Sequence, residues 1–421
     1  MTDLTAEKFP VNEHPNVAFR GLVCLYLACL VIGQLIKPRI GDIPITSIDL
    51  LLLGMLPFIV FRLRASRIAL VSLAIFVVPN VLYGVEYWIG GEIDTANLLM
   101  GCYSAYRFVF PLLLVFCFKD RLSIQDRRWG LNLLLWGVAF HIIFGLYQSV
   151  MLPNFALEYG PEDLPWDYQE NRLVSTFLDP NLVSSLFYAA ILSILCYIIY
   201  QGARLSSRYA LVISGSAVAA ALTASRGGAI GFIVCLIAMV AGAKTLTIQR
   251  KLLWMTVTML ALAAVIGVFV VYFGTDFIER TDRFGASNVS VDARLANLAI
   301  LVSAFSRNPA FGWGFNFFPY LTTVNFVMVS GNYADGGVLY LLASLGFVGV
   351  INLCVLVWEV AKTLAHKQTF LYPVTLLVIQ SISTSSMFYP LLTVLLPLLA
   401  LSMDARENTN VINQELVPRT S

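Results

Sequence analysis

One short motif combines the residue types that bind an anion. Ser225-Arg226-Gly227-Gly228 opens an apolar run, so we expect it at a helix N-terminus, where N–H groups lack internal partners and the dipole is positive. Ser225 can cap the helix, Arg226 carries a planar, permanent charge suited to diphosphate, and the two glycines would let an anion approach the backbone. The alternative is close helix packing through small residues. The favoured interpretation is a diphosphate site.

Two other apolar runs begin with polar residues. Leu178-Asp179-Pro180-Asn181 predicts a helix capped by Asp179, with Pro180 in its first turn. Asp335-Gly336-Gly337 opens another. Asp335 is a candidate for orienting or deprotonating a hydroxyl group. Because a carboxylate at a helix N-terminus is stabilised as an anion, it is a weaker base there, and a simple cap is the alternative.

Three further arginines are candidates for the same site. Arg172 ends an acidic segment just before Asp179, and Arg294 opens a helix predicted over 292–305 from the spacing of its apolar residues. Asn308-Pro309 should end that helix, which is too short and polar to span a membrane. Arg107 lies near the middle of an apolar run, where a charge usually faces a partner or a polar cavity. Snorkelling towards the membrane surface is the alternative.

The composition shows what must position these residues. Of 421 residues, 58% are hydrophobic and 12% are charged, and the mean hydropathy is +0.79, whereas a soluble domain carries about 25% charged residues. This excludes a cytosolic globular enzyme and a disordered chain, and a net charge of +2 spread along the chain argues against a nucleic-acid partner. We therefore predict an all-α polytopic membrane protein whose seven cysteines are packing residues.

About twelve runs are apolar enough to span a bilayer, which takes roughly 20 helical residues. Some are short, so a count of eleven stays open. Residues 1–403 would form one transmembrane domain, and 404–421 a disordered cytoplasmic tail whose Leu416-Val417-Pro418-Arg419 resembles a protease-tag remnant. The predicted spans are 17–36, 46–61, 68–85, 97–118, 129–150, 181–200, 208–224, 226–243, 252–273, 336–361, 371–387 and 389–403.

Basic connections predict the orientation, because cytoplasmic loops are enriched in Lys and Arg. With both termini in the cytoplasm, five basic connections face that side: 62–67, 119–128, 201–208, 244–251 and 362–367. Only the connection 37–45 argues the other way. Two long connections, about 151–180 and 274–335, then lie on the outer face, where every even-numbered span begins. Function is expected there.

An ordered series of motifs over about residues 172–349 resembles the O-antigen polymerase/ligase superfamily. Residues 1–150 match it in hydropathy alone. The matching pieces are Phe177 to Asn181, Thr223 to Gly228 with Gly231, Asp292-Ala293-Arg294 with Leu298, Asn308-Pro309 to Gly314, and Asp335 to Gly346 with Gly349.

This resemblance implies a bacterial inner-membrane glycosyltransferase of GT-C-like architecture, active on the periplasmic face. It implies a metal-independent, inverting reaction without a cofactor on a polyprenyl (undecaprenyl) diphosphate-linked glycan in the lipid bilayer. A chain-length regulator and a flippase are further candidate partners. The candidate catalytic residues are Asp335, Arg226 and Arg294, and the candidate substrate-binding residues are Arg172, Ser225, Gly227, Gly228, Asn181, Arg107 and Trp313. Trp166, Tyr168, Phe315 and Tyr333 are candidates, with Trp313, for stacking on sugars or for an interfacial aromatic belt.

Three alternatives differ in the reaction expected. The ligase branch typically has His-Asn where this chain has Asp335-Gly336, and Glu at Ser344. A repeat-unit polymerase for surface polysaccharide is therefore favoured over an O-antigen ligase that acts on lipid A-core. A solute transporter also fits twelve spans, but the candidate residues cluster at one face and paired broken helices are not evident. Glu92-Ile93-Asp94 is the one acidic pair spaced as in metal-dependent membrane glycosyltransferases.

Overall fold

The computed structural model describes residues 15–36, 39–40, 43–44, 46–153, 155, 158, 172–244, 246–247, 249, 289–317, 321, 336–382 and 386–404. Only the backbone is described at 39–40, 43–44 and 289–294. The predicted span 252–273 and the tail beyond residue 404 lie outside these residues.

The described residues form twelve α-helices. They are α1 (Val17–Ile32), α2 (Ser47–Arg62), α3 (Arg67–Ile89), α4 (Thr95–Phe118), α5 (Ile124–Met151), α6 (Pro180–Gln201), α7 (Ser207–Leu222), α8 (Arg226–Gly242), α9 (Val289–Arg307), α10 (Gly337–Lys362), α11 (Gln368–Gln380) and α12 (Pro390–Met403). Short 3-10 turns occupy Ser175–Phe177 and Ser386–Phe388.

These helices confirm the prediction of a polytopic membrane protein. Among the described residues, five helices are long and apolar enough to cross a membrane, namely α3, α4, α5, α6 and α10, and six further apolar segments are shorter. The structure thus supports several spans and leaves the number twelve as a prediction. All seven cysteines are free, and four of them are buried.

Polar residues outside the apolar runs cap half of the described helices. In six helices the residue before the first turn accepts a hydrogen bond from a first-turn N–H. These caps are Asn16 for α1, Ser66 for α3, Asp94 for α4, Ser123 for α5, Asp179 for α6 and Ser206 for α7. Such caps stabilise a helix by about 1 kcal/mol. The cap predicted at Asp179 is confirmed, with Pro180 as the first helical residue.

Ionic contacts tie the helices together at one end of the bundle. Arg20 binds Asp126 at 2.8 Å, linking the starts of α1 and α5, and Arg127 binds Asp404 at 3.0 Å, linking α5 to the end of α12. Burial alone would raise the pKa of Asp126, but hydrogen bonds from Ser123, Arg20 and Asn16 lower it. Asp404 also accepts from Ala365 N–H at 2.7 Å, so the basic connections 119–128 and 362–367 meet here, as predicted for connections that share a face.

The other end, which we call the convergent end, contains the starts of α2, α6, α8, α10 and α12. Asn181 in α6 contacts Ser225 at the start of α8 and Gln380 at the end of α11. Phe177, before α6, packs against Tyr389, before α12, with ring centroids 5.5 Å apart. The predicted clustering of even-numbered helix starts at one face is therefore found for these helices.

Helix α10 departs from the straight span predicted over 336–361. Gly346 has φ +61°, ψ −174° within it, and a Cβ there would lie 2.4 Å from the Ala310 backbone. The turn after α9 docks at this break, where Phe347 N–H donates to Pro309 O at 2.8 Å and Val348 N–H to Ala310 O at 3.0 Å. These bonds satisfy amide groups that an unbroken helix would pair internally.

Three smaller differences concern element boundaries. Residues 39–40 and 43–44 form a two-residue antiparallel pair, with Ile40 opposite Ile43, so the connection 37–45 adds a minimal ladder to the all-α fold. Helix α9 begins at Val289, earlier than predicted, and ends at Arg307, as Asn308-Pro309 indicated. Helix α11 ends at Gln380, so span 371–387 was drawn too long; Ser381 Oγ accepts from Met387 N–H in the following turn.

Candidate functional site at the convergent end

The starts of α6 and α8 meet through two candidate residues. Ser225 Oγ donates to Asn181 Oδ1 at 2.9 Å. Ser225 occupies the N-cap position of α8, but its hydroxyl makes no capping bond, so the prediction that it caps was wrong. The half-buried side-chain amide oxygen of Asn181, on the neighbouring helix, accepts the hydroxyl proton instead. This bond joins two positive helix ends at one point.

A polar network holds Asn181 in place. Gln380 Nε2 donates to Asn181 O at 2.8 Å, Ser184 Oγ and Ser185 Oγ also donate to that oxygen at 2.8 Å, and Ser185 Oγ lies 2.6 Å from Gln380 Oε1. Gln380, Ser184 and Ser185 are fully buried. Fully paired buried networks of this kind fix a single geometry, so the start of α6 is rigid.

Arg172 is the second predicted residue brought to α8. Its Nε donates to Thr223 O at 2.8 Å, and Leu173 N–H donates to Leu222 O at 3.1 Å. The segment before α6 therefore runs beside the segment before α8. Arg172, Asn181 and Ser225 therefore lie around the start of α8.

Two polar side chains of helix α5 form hydrogen bonds with the segment 172–178. Gln148 Oε1 accepts from Val174 N–H at 3.0 Å and Ser175 N–H at 2.9 Å, while Gln148 Nε2 donates to Arg172 O at 3.1 Å. His141 Nδ1 lies 2.9 Å from Ser175 Oγ. His141 is fully buried and therefore positions the segment without touching a ligand.

Three non-glycine residues beside these helix starts adopt positive φ. They are Ser175 (51°), Leu178 (56°) and Ala224 (52°). Such conformations cost about 1–3 kcal/mol each and persist where the surrounding structure enforces them, often at functional sites. Here they turn the chain sharply before Asp179 and Ser225, so that α6 and α8 begin side by side.

Gly228 favours the packing interpretation at its own position. A Cβ there would lie 2.9 Å from Ser184 Oγ and 3.1 Å from the Tyr188 ring, so this glycine allows α8 to approach α6. Gly227 is half-buried and Arg226 is exposed at the first position of α8. The motif thus combines close packing on one side with an exposed charge on the other.

Arg107 has the partner that its position predicted. Its Nε lies 3.4 Å from Asp49 Oδ1 at the start of α2. Tyr389 is close to Arg107, Asp49 and Asp179 and is hydrogen-bonded by Gln34. Arg107 therefore belongs to a neighbouring polar group at the convergent end.

Trp313 and Phe315 lie in the turn that follows α9. Trp313 Nε1 donates to Ala304 O at 2.8 Å, and Trp313 N–H donates to Ala343 O at 3.1 Å. The Phe315 ring is buried and packs on Phe76, Phe108 and Phe388. The prediction that Phe315 could stack on a sugar is therefore wrong. The turn inserts between helices, and the neighbouring aromatic rings cover the Phe315 ring.

The structure describes only some of the remaining candidate residues. Arg294 lies in the first part of α9, residues 289–294, where only the backbone is described. Asp335, Trp166, Tyr168 and Tyr333 lie outside the described residues. Asp94 of the acidic pair caps α4 by accepting from Asn97 N–H at 2.7 Å. Within the described part of the chain, no group of three His, Cys, Asp or Glu side chains could hold a metal ion.

Five positioning residues were missed by sequence reasoning: Asp49, His141, Gln148, Gln380 and Tyr389. All five are polar or aromatic residues inside predicted spans, and four of them, Asp49, His141, Gln148 and Gln380, are buried. A buried polar side chain in a span almost always has a partner. That signal was available for these residues, although it does not identify the partner.

Residues 210–354 match a protein-family model, Wzy_C, described as O-antigen ligase. This segment, about a third of the chain, is therefore similar to the O-antigen ligase (Wzy_C) family. It covers α8, with Ser225 and Arg226, and also α9 and the break in α10. The match confirms the superfamily resemblance drawn from the motifs. Neither a curated protein nor a solved structure matches the chain in the corresponding searches.

Proposed function

We propose that the protein is a membrane glycosyltransferase that uses a polyprenyl-diphosphate-linked oligosaccharide and joins repeat units at the periplasmic face of the bacterial inner membrane. The observation that carries this proposal is the 2.9 Å bond between Ser225 and Asn181, because it joins the starts of α6 and α8. Arg172 Nε lies 2.8 Å from Thr223 O beside them, and Arg226 is exposed next to them. The O-antigen ligase (Wzy_C) match supports the reaction class.

The reaction needs charge stabilisation on the leaving group. An acceptor hydroxyl oxygen attacks the anomeric carbon, the bond from that carbon to the diphosphate oxygen breaks, and the electron pair stays on the diphosphate. Arg226 and Arg294, with Arg172, would bind this diphosphate, and the first N–H groups of α8 at Gly227 and Gly228 would add donors. Loss of one such preorganised donor typically costs about 3–4 kcal/mol of transition-state stabilisation.

The acceptor hydroxyl must lose its proton. Asp335 is the proposed group that orients this hydroxyl or accepts its proton. Its place just before Gly336 and α10, which starts at the convergent end, supports this role. The competing role of Asp335 is structural, although the N-cap residue of α10 is Gly336. A structural role predicts little loss of activity in Asp335→Asn, because the amide keeps the size and polarity of the side chain.

An O-antigen ligase activity is the alternative, because the matching family model is described by that activity. Deletion of the protein separates the two. A polymerase mutant should retain single repeat units on the carrier or core, whereas a ligase mutant should lose attached polysaccharide and accumulate long lipid-linked chains. An unchanged surface polysaccharide would contradict both.

Arginine-to-lysine variants test the site in the same deletion strain. Arg226→Lys and Arg294→Lys keep the charge but lose the planar fork, so we expect loss of long chains with normal protein levels in the membrane. The matched control is Arg208→Lys, because Arg208 is exposed in the first turn of α7, away from the convergent end. Near-normal chains from both site variants would remove the diphosphate assignment.

A further inference from the structure

Three arginines gather at the end of the bundle opposite the convergent end. Arg62 is the last residue of α2, Arg64 follows it in the connection to α3, and Arg121 follows the end of α4. Ring stacking holds the two helix ends together, because Phe58 of α2 lies on Phe118 of α4 with ring centroids 5.1 Å apart. The Arg62 guanidinium lies over the same Phe58 ring, 5.9 Å from its centroid. We call Arg62, Arg64 and Arg121 the arginine cluster.

Arg121 is the member of the arginine cluster with the most contacts to the fold. Its N–H donates to Phe118 O at 2.9 Å, and its carbonyl oxygen accepts from Asn16 Nδ2 at 3.2 Å. Its guanidinium Nη1 is buried and has no hydrogen-bond partner among the described residues. Burial lowers the pKa of Arg121, and the like charges of Arg62 and Arg64 lower it further. The fold therefore keeps one partly dehydrated cation beside two others.

The carboxylates at this end leave the arginine cluster with an excess of positive charge. The connection 62–67 contains no acidic residue. Asp120 lies near Arg121, but its side chain is 56% exposed and faces Lys119 at 3.9 Å. None of the three arginines forms an ion pair with a carboxylate of the described residues. Three other carboxylates at this end are already paired: Asp126 with Arg20, Glu359 with Lys362 and Asp404 with Arg127.

The arginine cluster differs from the other arginines at this end. Arg128, Arg204 and Arg208 are exposed, so water solvates them and their charge is sufficiently explained by the orientation of the chain. Arg121 is half-buried, and dehydration of a cation costs free energy unless a partner compensates it. An anion that contacts the exposed nitrogens of three neighbouring guanidinium groups would offset this cost, because charge-assisted hydrogen bonds are strong.

Apolar side chains beside the arginine cluster favour a lipid over a soluble anion. Val60 and Phe61, at the end of α2, are 68% and 84% exposed, and Ile68, at the start of α3, is 55% exposed. Such a surface suits acyl chains, whereas a soluble anion would leave it uncovered. Basic residues just beyond the apolar part of membrane helices lie at the level of the lipid phosphates and bind anionic headgroups.

We propose that the arginine cluster binds the phosphate group of an anionic phospholipid whose acyl chains lie along the exposed apolar residues of α2. Phosphatidylglycerol has the required chemistry, with one phosphate charge that is not neutralised by a headgroup amine. The predicted orientation of the chain places this lipid in the cytoplasmic leaflet. The site goes beyond the proposed function, because it lies at the opposite end from the residues proposed to bind diphosphate.

The test measures binding of the first lipid molecule to the full-length protein in detergent by native mass spectrometry. The probes are phosphatidylglycerol and phosphatidylcholine with identical acyl chains, and inorganic phosphate serves as a soluble competitor. The variants are Arg121→Gln and Arg64→Gln, with Arg128→Gln as the matched control. Arg128 belongs to the same connection as Arg121, and Arg64 is exposed like Arg128. The unfolding temperature of each variant without lipid is recorded in parallel.

The wild-type protein should bind phosphatidylglycerol about 10-fold more tightly than phosphatidylcholine. Arg121→Gln and Arg64→Gln should each weaken phosphatidylglycerol binding about 5-fold, as loss of one arginine beside an anionic headgroup predicts, and should leave phosphatidylcholine binding unchanged. Arg128→Gln should bind both lipids as the wild-type protein does. Inorganic phosphate should not displace the lipid, because it lacks the acyl chains.

Equal binding of the two lipids by the wild-type protein would overturn the proposal. A loss with Arg128→Gln as large as that with Arg64→Gln would also overturn it, because general surface charge would then attract the lipid. Displacement by inorganic phosphate would indicate a site for soluble anions instead. Wild-type binding by Arg64→Gln overturns the proposal whether or not Arg121→Gln folds. These readouts are separate from polysaccharide chain length, which tests the proposed function.

Discussion

Single side chains at the convergent end are specified by polar partners on neighbouring helices. Ser225 illustrates this, because its hydroxyl binds Asn181 rather than its own helix. The sequence correctly predicts the cap at Asp179 and a partner for Arg107, since the first depends on local chain geometry and the second on the cost of an unpaired intramembrane charge. It cannot predict the acceptor of Ser225, because that partner lies 44 positions away in the chain.

Gln148 should be essential to the geometry of the segment before α6. Gln148→Leu removes the acceptor of two buried N–H groups, those of Val174 and Ser175, and each unpaired group costs about 1–3 kcal/mol. We expect a lower unfolding temperature in detergent and shorter polysaccharide chains. Both are measured against Ser149→Ala, because Ser149 Oγ donates only to Gly145 O of its own helix. Equal behaviour of the two variants would contradict the role of Gln148.

At the scale of elements, the break in α10 determines where the turn after α9 sits. Periodicity predicts a helix over this stretch, and apolar side chains on both sides of Gly346 fit that prediction. The pattern does not reveal the break, because glycine adopts helical and positive φ about equally readily, and the tertiary contacts that select one of them are not visible in the sequence. The position of Trp313 follows from this break, through the bond from its N–H to Ala343 O.

Gly346→Ala should therefore destabilise the protein. A Cβ would lie 2.4 Å from the Ala310 backbone, and φ is +61°, a conformation that costs a non-glycine residue about 1–3 kcal/mol. We expect a lower unfolding temperature and less polymer from an equal amount of protein. Gly21→Ala in α1 is the control, since nothing lies within 4 Å of a Cβ there. A Gly346→Ala protein as stable as this control would refute the account of the break.

At the scale of the whole molecule, hydropathy predicts the positions of most described helices. Eleven of the predicted spans coincide with described helices, and the twelfth, 252–273, lies outside the described residues. The approximate spans are predictable because the bilayer requires long apolar helices. The assembly of the starts of α2, α6, α8, α10 and α12 at one end of the bundle depends on packing between distant helices, which hydropathy does not encode.

The proposed chemistry requires the convergent end to face the periplasm. The sequence predicts this orientation, because it assigns the basic connections at the other end to the cytoplasm. This orientation also decides whether Arg226 and Arg294 can meet a carrier-linked glycan on the outer leaflet. A dual reporter that is fluorescent in the cytoplasm and enzymatically active only in the periplasm distinguishes the two sides directly.

The most direct measurement places this reporter after residue 226, with fusions after residues 204 and 294 for comparison. Our account expects periplasmic activity after 226 and 294, and cytoplasmic fluorescence after 204, in the basic connection between α6 and α7. Cytoplasmic fluorescence after 226 and 294 would contradict it, because the arginines and helix starts proposed to bind the diphosphate would then lie on the wrong side of the membrane.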